Sequence, residues 1–379
     1  MLWLAFKTLF HEKGRLIITL IGITFSTVLT LTEVAIYLGM MANATAIIRH
    51  TDADIWITSR NIQNFDFALP FPEERINQVR AVPGVLWTEK IILTYGFIKL
   101  PNGGQDQIQI VGFNPDSGIG GPWTMQVGRP SDVKGGRYMI MDSTSEQRLG
   151  RLEPGTLWEV TLVDYHVFKL VGLSQGIKSF TTVPIIFVSY NQAQSLFAGT
   201  IMEGQTNFIV AKVNDKANIT GVVKGLRSLL RDNDVYTREE FIYKTVMYWT
   251  VQTGMGMAFF LTALLAIMIG GAIVGQTIYA STMEHLREFG TLKALGARNW
   301  DIYQVIFSQA GISAILGYTV GILLVFIMMG GIEKAGVPLY LHPALFATLF
   351  LIILLTCLLS GYFSAEKVRT YDPVTVFKA

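Results

Sequence analysis

Charge is missing over long stretches of this chain, and its absence argues against a soluble protein. Between Lys244 and Glu284 lie 39 consecutive residues without Asp, Glu, Lys or Arg. Three further stretches, around Leu16–Met41, Ile306–Gly330 and Ala344–Ser364, are comparably apolar. Each is at least as long as the ~20 apolar residues that cross a bilayer. Only 15% of the 379 residues are charged, against about a quarter in soluble domains. Cysteine is nearly absent too, with Cys357 alone in the last apolar run. An intrachain disulfide is therefore excluded, while an oxidising compartment is neither required nor ruled out. No G-x-x-x-x-G-K-[ST] run occurs, so ATP binding by a P-loop is excluded. The five histidines, His11, His50, His166, His285 and His342, are scattered without metal-ligand spacing. His11-Glu12 lacks the second His of a zincin, and Gly118-Ile-Gly-Gly121 does not open a helix after a strand as a dinucleotide fingerprint would. No catalytic constellation stands out. A membrane-bound enzyme with a triad dispersed along the sequence stays an alternative.

What is present is a layout of one crossing near the N-terminus and three near the C-terminus. Residues 43–245 lie between, carrying 20 basic and 20 acidic side chains. That balance shows no nucleic-acid or polyanion surface, and the length supports one or two small domains. Basic residues orient the chain. Lys7, Lys13 and Arg15 precede the first crossing, Arg287, Lys293 and Arg298 follow the second, and Lys367, Arg369 and Lys378 follow the fourth. The loop between the third and fourth crossings has only Lys334. Both termini and the 284–302 loop are therefore expected in the cytoplasm, with 43–245 outside, in the periplasm of a cell with two membranes. Ala42-Asn43-Ala44 has the small residues of a signal-peptide cleavage site. The apolar run before it is too long for a signal core, so it reads as an uncleaved anchor. Residues 1–15 read as an amphipathic lead-in, with Leu2, Trp3, Phe6, Leu9 and Phe10 near one helical face.

Residues 245–283 would span about 58 Å as one helix, against about 30 Å of hydrocarbon. A helix continuing above the membrane as a stalk is expected there, and also from the first crossing through Ala42–Arg49. Gly271/Gly275 and Gly317/Gly321 form two GxxxG pairs. Such pairs let helix backbones approach, either within one subunit or across a homodimer seam. Glu33 is the one acid inside the first crossing. It sits about 27 Å beyond Arg15, near the outer interface, where a snorkelling or hydrogen-bonded role competes with a proton or substrate role. Outside, strands are expected over 54–59, 85–100, 107–113, 206–213 and from 234, with helices over 72–82 and 219–230. The fold class is thus an α-helical membrane protein of four transmembrane helices with a large α+β extracytoplasmic domain. That domain reads as a split α/β part, 50–115 and 201–242, around a mostly β insertion, 116–200. The remaining boundaries are a crossing at 16–42, a stalk and crossing at 246–283, the loop 284–302, a crossing at 303–330, a short outer loop 331–341, a crossing at 342–364 and a tail 365–379.

The 284–302 loop reads Glu284-His-Leu-Arg-Glu-Phe-Gly-Thr-Leu-Lys-Ala-Leu-Gly-Ala-Arg298. Its pattern predicts a short helix along the membrane surface and a turn at Gly296. By itself it is either a solvated connector or a docking element. Arg287-Glu288-Phe289-Gly290-x-Leu292-Lys293-Ala294-Leu295-Gly296-Ala297 resembles the R-E-I-G-x-L-K-A-L-G-A signature of FtsX-like ABC-transporter permeases. His285 stands where that family often has Arg, a change expected to be minor at a solvated position. Pro83-Gly84-Val85 resembles the family's P-G-V segment. Asp52-Ala-Asp-Ile-Trp-Ile57 resembles the first strand of the DevC-like branch. Gly128-Arg129 and Leu152-x-Pro-Gly155 resemble insertion motifs. Asp372-Pro373-Val374-x-Val376-Phe377 resembles the terminal D-P-x-x-A-L/F-R, with Val376 and Lys378 departing from it. The one-plus-three layout is similar to that of FtsX-like and MacB-like permeases.

The resemblance implies that Glu284, Arg287, Glu288, Gly290, Leu292, Lys293, Ala294, Leu295 and Gly296 form a coupling loop that docks an ATPase. Because the chain begins at the first crossing, that ATPase is expected to be a separate polypeptide, as in the DevC-like branch. ATP and Mg would be bound by the ATPase dimer and no cofactor by this chain. A second permease copy, a periplasmic adaptor (membrane-fusion) protein and a TolC-like outer-membrane channel would complete an export path in the inner membrane, with no nucleic acid involved. The expected function is mechanotransmission, in which ATP-driven motion reaches the periplasmic domain and drives substrate already outside the inner membrane. Alternatives are lipoprotein release of the LolC/LolE type and FtsX-like control of cell-wall hydrolases.

Overall fold

The computed structural model describes residues 2–162, 164–181, 183–197 and 203–369. Its helices are α1 (Leu2–His11), α2 (Lys13–Ala44), α3 (Ala46–His50), α4 (Arg75–Arg80), α5 (Glu146–Leu149), α6 (Tyr190–Ser195), α7 (Ile219–Leu229), α8 (Arg238–Met247), α9 (Met255–Glu284), α10 (Leu286–Ala294), α11 (Asn299–Lys334) and α12 (Pro343–Arg369). The strands are β1 (Ile55–Ser59), β2 (Phe71–Pro72), β3 (Val85–Lys99), β4 (Gln105–Phe113), β5 (Met125–Val127), β6 (Tyr138–Asp142), β7 (Leu157–Thr161), β8 (Tyr165–Ser174), β9 (Ile185–Ser189), β10 (Gln205–Thr206), β11 (Phe208–Val213) and β12 (Asn233–Thr237). The tail motif over 372–378 lies outside the described residues.

The chain divides into a helical unit, residues up to Leu38 with those from Gly256, and an outer unit, Gly39–Met255. In the helical unit, α2, α9, α11 and α12 are each long and apolar enough to cross a membrane. Large side chains such as Leu265, Ile327 and Phe363 point outward, as a lipid-facing surface requires. Small residues hold the inside. A Cβ on Gly317 would meet Cβ of Ile23 at 2.6 Å, and one on Gly321 would meet Cβ of Thr27 at 2.7 Å. Gly271 faces Thr356 and Gly275 faces Ser360 of α12. Both GxxxG pairs are therefore spent on packing within the subunit. Polar groups tie the same seams: Thr24 Oγ1 donates to the Gly317 carbonyl at 3.1 Å and Ser360 Oγ to that of Gly271 at 3.1 Å. Glu33 is half-buried on α2 and pairs with no described cation.

The expected stalks differ from uninterrupted helices. α2 ends at Ala44, and Thr45 leaves helical geometry before α3. α8 passes into a π-helical turn at Tyr248–Gln252, and Gly254 adopts φ +71°. No single helix therefore spans 245–283. The Thr253 hydroxyl donates to the Trp249 carbonyl at 2.6 Å and accepts from the Met255 N–H at 3.3 Å, satisfying the groups that the break exposes.

In the outer unit the sheet order begins β12-β1-β11-β3, every neighbouring pair antiparallel. This is a split β-α-β arrangement built from β1-α4-β3 and β11-α7-β12. Ile55 and Ile57 of β1 pack with Val79 of α4 and Leu226 of α7 on one face. Trp56 packs with Phe65, Phe208 and Phe241 on the other. Burial on both faces explains why β1 reads as a nearly continuous apolar run. The boundary expected at 116 needs correction. Residues 85–91 of β3 pair with β11, whereas 92–99 pair with β4. β4 in turn pairs in parallel with β9. The β-rich lobe therefore begins inside β3, continuing as β4-β9-β6-β8-β5 with β7 alongside. A 15-residue strand is long enough to serve two partners in succession.

Candidate functional site

The loop from Glu284 to Asp301 folds as the helix α10 and a tight exit. Residues three and four apart share a helix face. Leu286, Phe289 and Gly290 turn inward, and Phe289 joins the core of the helical unit with Leu286 and Leu292 packed against it. Arg287, Glu288, Thr291, Ala294 and Leu295 form the outward stripe. The Glu288 side chain is 72% exposed and Leu295 is 81% exposed. Of the residues expected to dock a partner, Arg287, Glu288, Ala294 and Leu295 thus present themselves. Gly290 is buried, and Leu292 and Lys293 are half-buried. Burial holds the Lys293 ammonium below its ordinary pKa.

The end of α10 is a Schellman turn. The Gly296 N–H donates to the Lys293 carbonyl at 3.0 Å and the Ala297 N–H to the Leu292 carbonyl at 2.9 Å. Gly296 sits at φ +98°, a conformation that costs an L side chain about 1–2 kcal/mol. Asp301, in the first turn of α11, accepts from the Arg298 N–H at 2.8 Å, half of a capping box. The L-G-A run and Asp301 together set the angle at which the chain leaves the loop.

A polar cluster anchors the beginning of the loop. His285 Nε2 lies 2.6 Å from Glu12 Oε1, and Nδ1 lies 3.0 Å from Glu288 Oε2. Ser281 Oγ donates to Glu12 Oε2 at 3.1 Å, and Arg15 donates to the same oxygen at 2.9 Å. Arg15 also pairs with Glu284. Partial burial pushes the His285 imidazole down, but the Glu288 and Glu12 carboxylates outweigh it, and its pKa is raised. Burial likewise opposes ionisation of Glu12, yet hydrogen bonds from His285, Ser281 and Arg15 hold its carboxyl below the usual range. An imidazolium donates from both nitrogens, so the charged form fits this pair of carboxylates. His285 is therefore not at a freely solvated position; its side chain is 19% exposed. Glu12, Arg15 and Ser281 escaped the sequence reading because 269 positions separate Glu12 from Ser281. Between α1, α10 and α11 lies a cleft of about 330 Å³, lined by Thr8, His285, Glu288, Phe289, Thr291, Leu292 and Val305. Among the described residues no group of His, Cys, Asp or Glu is placed to hold a metal.

Two family models match the chain: the MacB-like periplasmic core domain over residues 16–229 and the FtsX-like permease C-terminal over 260–373. An uncharacterized ABC transporter permease of Mycobacterium tuberculosis (strain H37Rv) is 24% identical over 389 residues, covering all of this chain and 99% of the relative. The macrolide export ATP-binding/permease protein MacB of Burkholderia lata is 25% identical over 246 residues, which cover 62% of this chain and 35% of MacB. An uncharacterized ABC transporter permease of Methanocaldococcus jannaschii is 24% identical over 223 residues, and this chain spans about half of it, 55%. Among solved structures, the periplasmic region of MacB from Actinobacillus actinomycetemcomitans aligns with a TM-score of 0.38 and 15% identity, over 51% of this chain and 92% of that one. The extracellular domain of YknZ from Gram-positive bacteria aligns at 0.35 and 15%, over 48% and 98%. One family model covers more than half of the chain and the other nearly all of its C-terminal third, so the chain belongs to the MacB-like, FtsX-like family of ABC transporter permeases.

Proposed function

We propose that this permease transmits ATP-driven motion from a separate cytoplasmic ATPase to its own outer unit, driving export of substrate from the periplasm or outer leaflet. The single observation that carries the reading is α10. Its outward stripe of Arg287, Glu288, Thr291 and Leu295 is offered to solvent, while its inward face and both ends are fastened. A helix held this way passes a push to α9 and α11 instead of absorbing it. α9 continues by chain connectivity into the outer unit, as does α2. The ATPase would act as a dimer holding ATP and Mg, against two copies of this permease in the inner membrane with both termini cytoplasmic. An adaptor and an outer-membrane channel would complete the route, as in the DevC-like branch.

The test is reconstitution of the permease with its cognate ATPase, comparing wild type with Arg287→Glu and Leu295→Asp. Both positions are exposed, so membrane insertion and melting should be unchanged. Transport-stimulated ATP hydrolysis should fall at least about tenfold if each change removes ~1.4 kcal/mol or more of docking energy. Full stimulation in both variants would refute docking through this stripe.

A further inference from the structure

We propose that a cleft in the outer unit binds small organic cations, with the Glu89 carboxylate as its anionic anchor. The parallel strands β4 and β9 end side by side here. The loop after β4, the turn at Lys134–Gly135, the start of α6 and residues 89–90 of β3 enclose a volume of about 430 Å³. That size is within the range of small-molecule sites. The carboxyl ends of parallel strands are where open α/β sheets leave room for ligands.

The charges lining the cleft are unequally satisfied. Lys90 Nζ bonds Glu73 Oε2 at 2.8 Å and sits 4.4 Å from the centre of the Tyr190 ring. Lys134 pairs with Asp116. Glu89 has no described cation as partner. Both its oxygens accept from one neutral group, Asn114 Nδ2, at 3.1 Å each. An amide orients a carboxylate without neutralising it, and a carboxylate has about four acceptor positions. Glu89 is thus half-buried, held in place, uncompensated, and still able to accept hydrogen bonds. A primary or tertiary ammonium supplies the missing charge and the missing donor together. Ser189 and Asn191 add neutral polar groups to the same wall, which suits an amine carrying further hydroxyl or carbonyl groups.

The experiment uses the full chain in lipid nanodiscs without any ATPase, so its outcome is independent of the coupling reading. Dansylcadaverine, a fluorescent primary amine, is titrated beside its N-acetylated, uncharged counterpart. The amine should bind about tenfold or more tightly than the acetylated probe, the ratio expected for one charge-assisted hydrogen bond. Glu89→Gln, which keeps the Asn114 contact, should abolish that difference. Equal binding of the two probes, no binding of the amine up to roughly 1 mM, or an undiminished preference in Glu89→Gln would each overturn the proposal. The two-probe comparison on the wild type stands even if the variant folds poorly.

Discussion

Asp66 → Asn should stabilise the protein at neutral pH and leave it nearly unchanged in acid. Asp66 is 8% exposed, and no described cation pairs with it. Its carboxylate is held by the Trp249 indole N–H at 3.3 Å, by Gln109 Nε2 at 3.5 Å and by the Tyr95 hydroxyl. Phe180 stacks on Trp249 at 3.7 Å, keeping this side apolar. Desolvation exceeds the help from these donors and pushes the carboxyl from 3.8 up to about 6. The folded state therefore binds this proton more tightly than the unfolded state does. The contribution of Asp66 to stability is greatest below 3.8, declines as pH rises through about 6, and is flat above. Moving a carboxyl that far penalises the folded state at neutral pH by about 3 kcal/mol. The Asn side chain keeps an acceptor for Trp249 and removes the charge. Urea unfolding of the full chain in detergent, at about pH 4 and about pH 7.5, should show Asp66→Asn gaining up to ~3 kcal/mol over wild type at the higher pH only. A difference between variant and wild type that does not change with pH, or one of opposite sign, would refute the reasoning.

Three further outcomes follow from the helical unit. Gly321→Leu forces side-chain atoms against Thr27, where a Cβ alone already comes within 2.7 Å; overpacking of this kind should cost about 1–3 kcal/mol, read by unfolding in detergent, and unchanged stability would contradict the packing. Gly296→Val places a β-branched side chain at φ +98° and should cost about 1–2 kcal/mol locally, seen as faster hydrogen exchange confined to the end of α10. The Glu12–His285 clamp is fully present below the ordinary imidazole pKa of 6.5 and is lost as pH rises through the raised folded value. Protection factors of the α1 backbone amides, with the base-catalysed intrinsic rate divided out, should therefore fall at alkaline pH by an amount worth ~1 kcal/mol or less, after discounting for partial exposure, and Glu12→Gln should remove that pH dependence of protection.

Much of the fold was legible because its signals are local. An apolar run does not need to know its neighbours to prefer lipid, a helix such as Ile219–Leu229 declares itself by the period of its own side chains, and a strand such as Ile55–Ser59 by a short run of β-branched and aromatic residues. The break at Thr253-Gly254 was also written locally, as a capping hydroxyl followed by glycine, but hydrophobicity masked it. Within α10 the 3.6-residue period separates the outward Arg287, Glu288 and Leu295 from the inward Phe289 and Gly290, a division that the family motif, read as one block, conceals.

The amino-acid order by itself determined how many apolar segments there are, that a long water-compatible stretch separates the first from the second, and the residues of the loop that links α9 to α11. Only the tertiary structure decided which helix each glycine pair serves, how β3 divides between two partners, and that His285 meets Glu12. It also left Glu89, among the described residues, bonded to the Asn114 amide without a cation, and brought the Trp249 indole to Asp66. Those pairings join residues tens to hundreds of positions apart. Their energy depends on distances and dielectric surroundings that do not exist until the chain has folded.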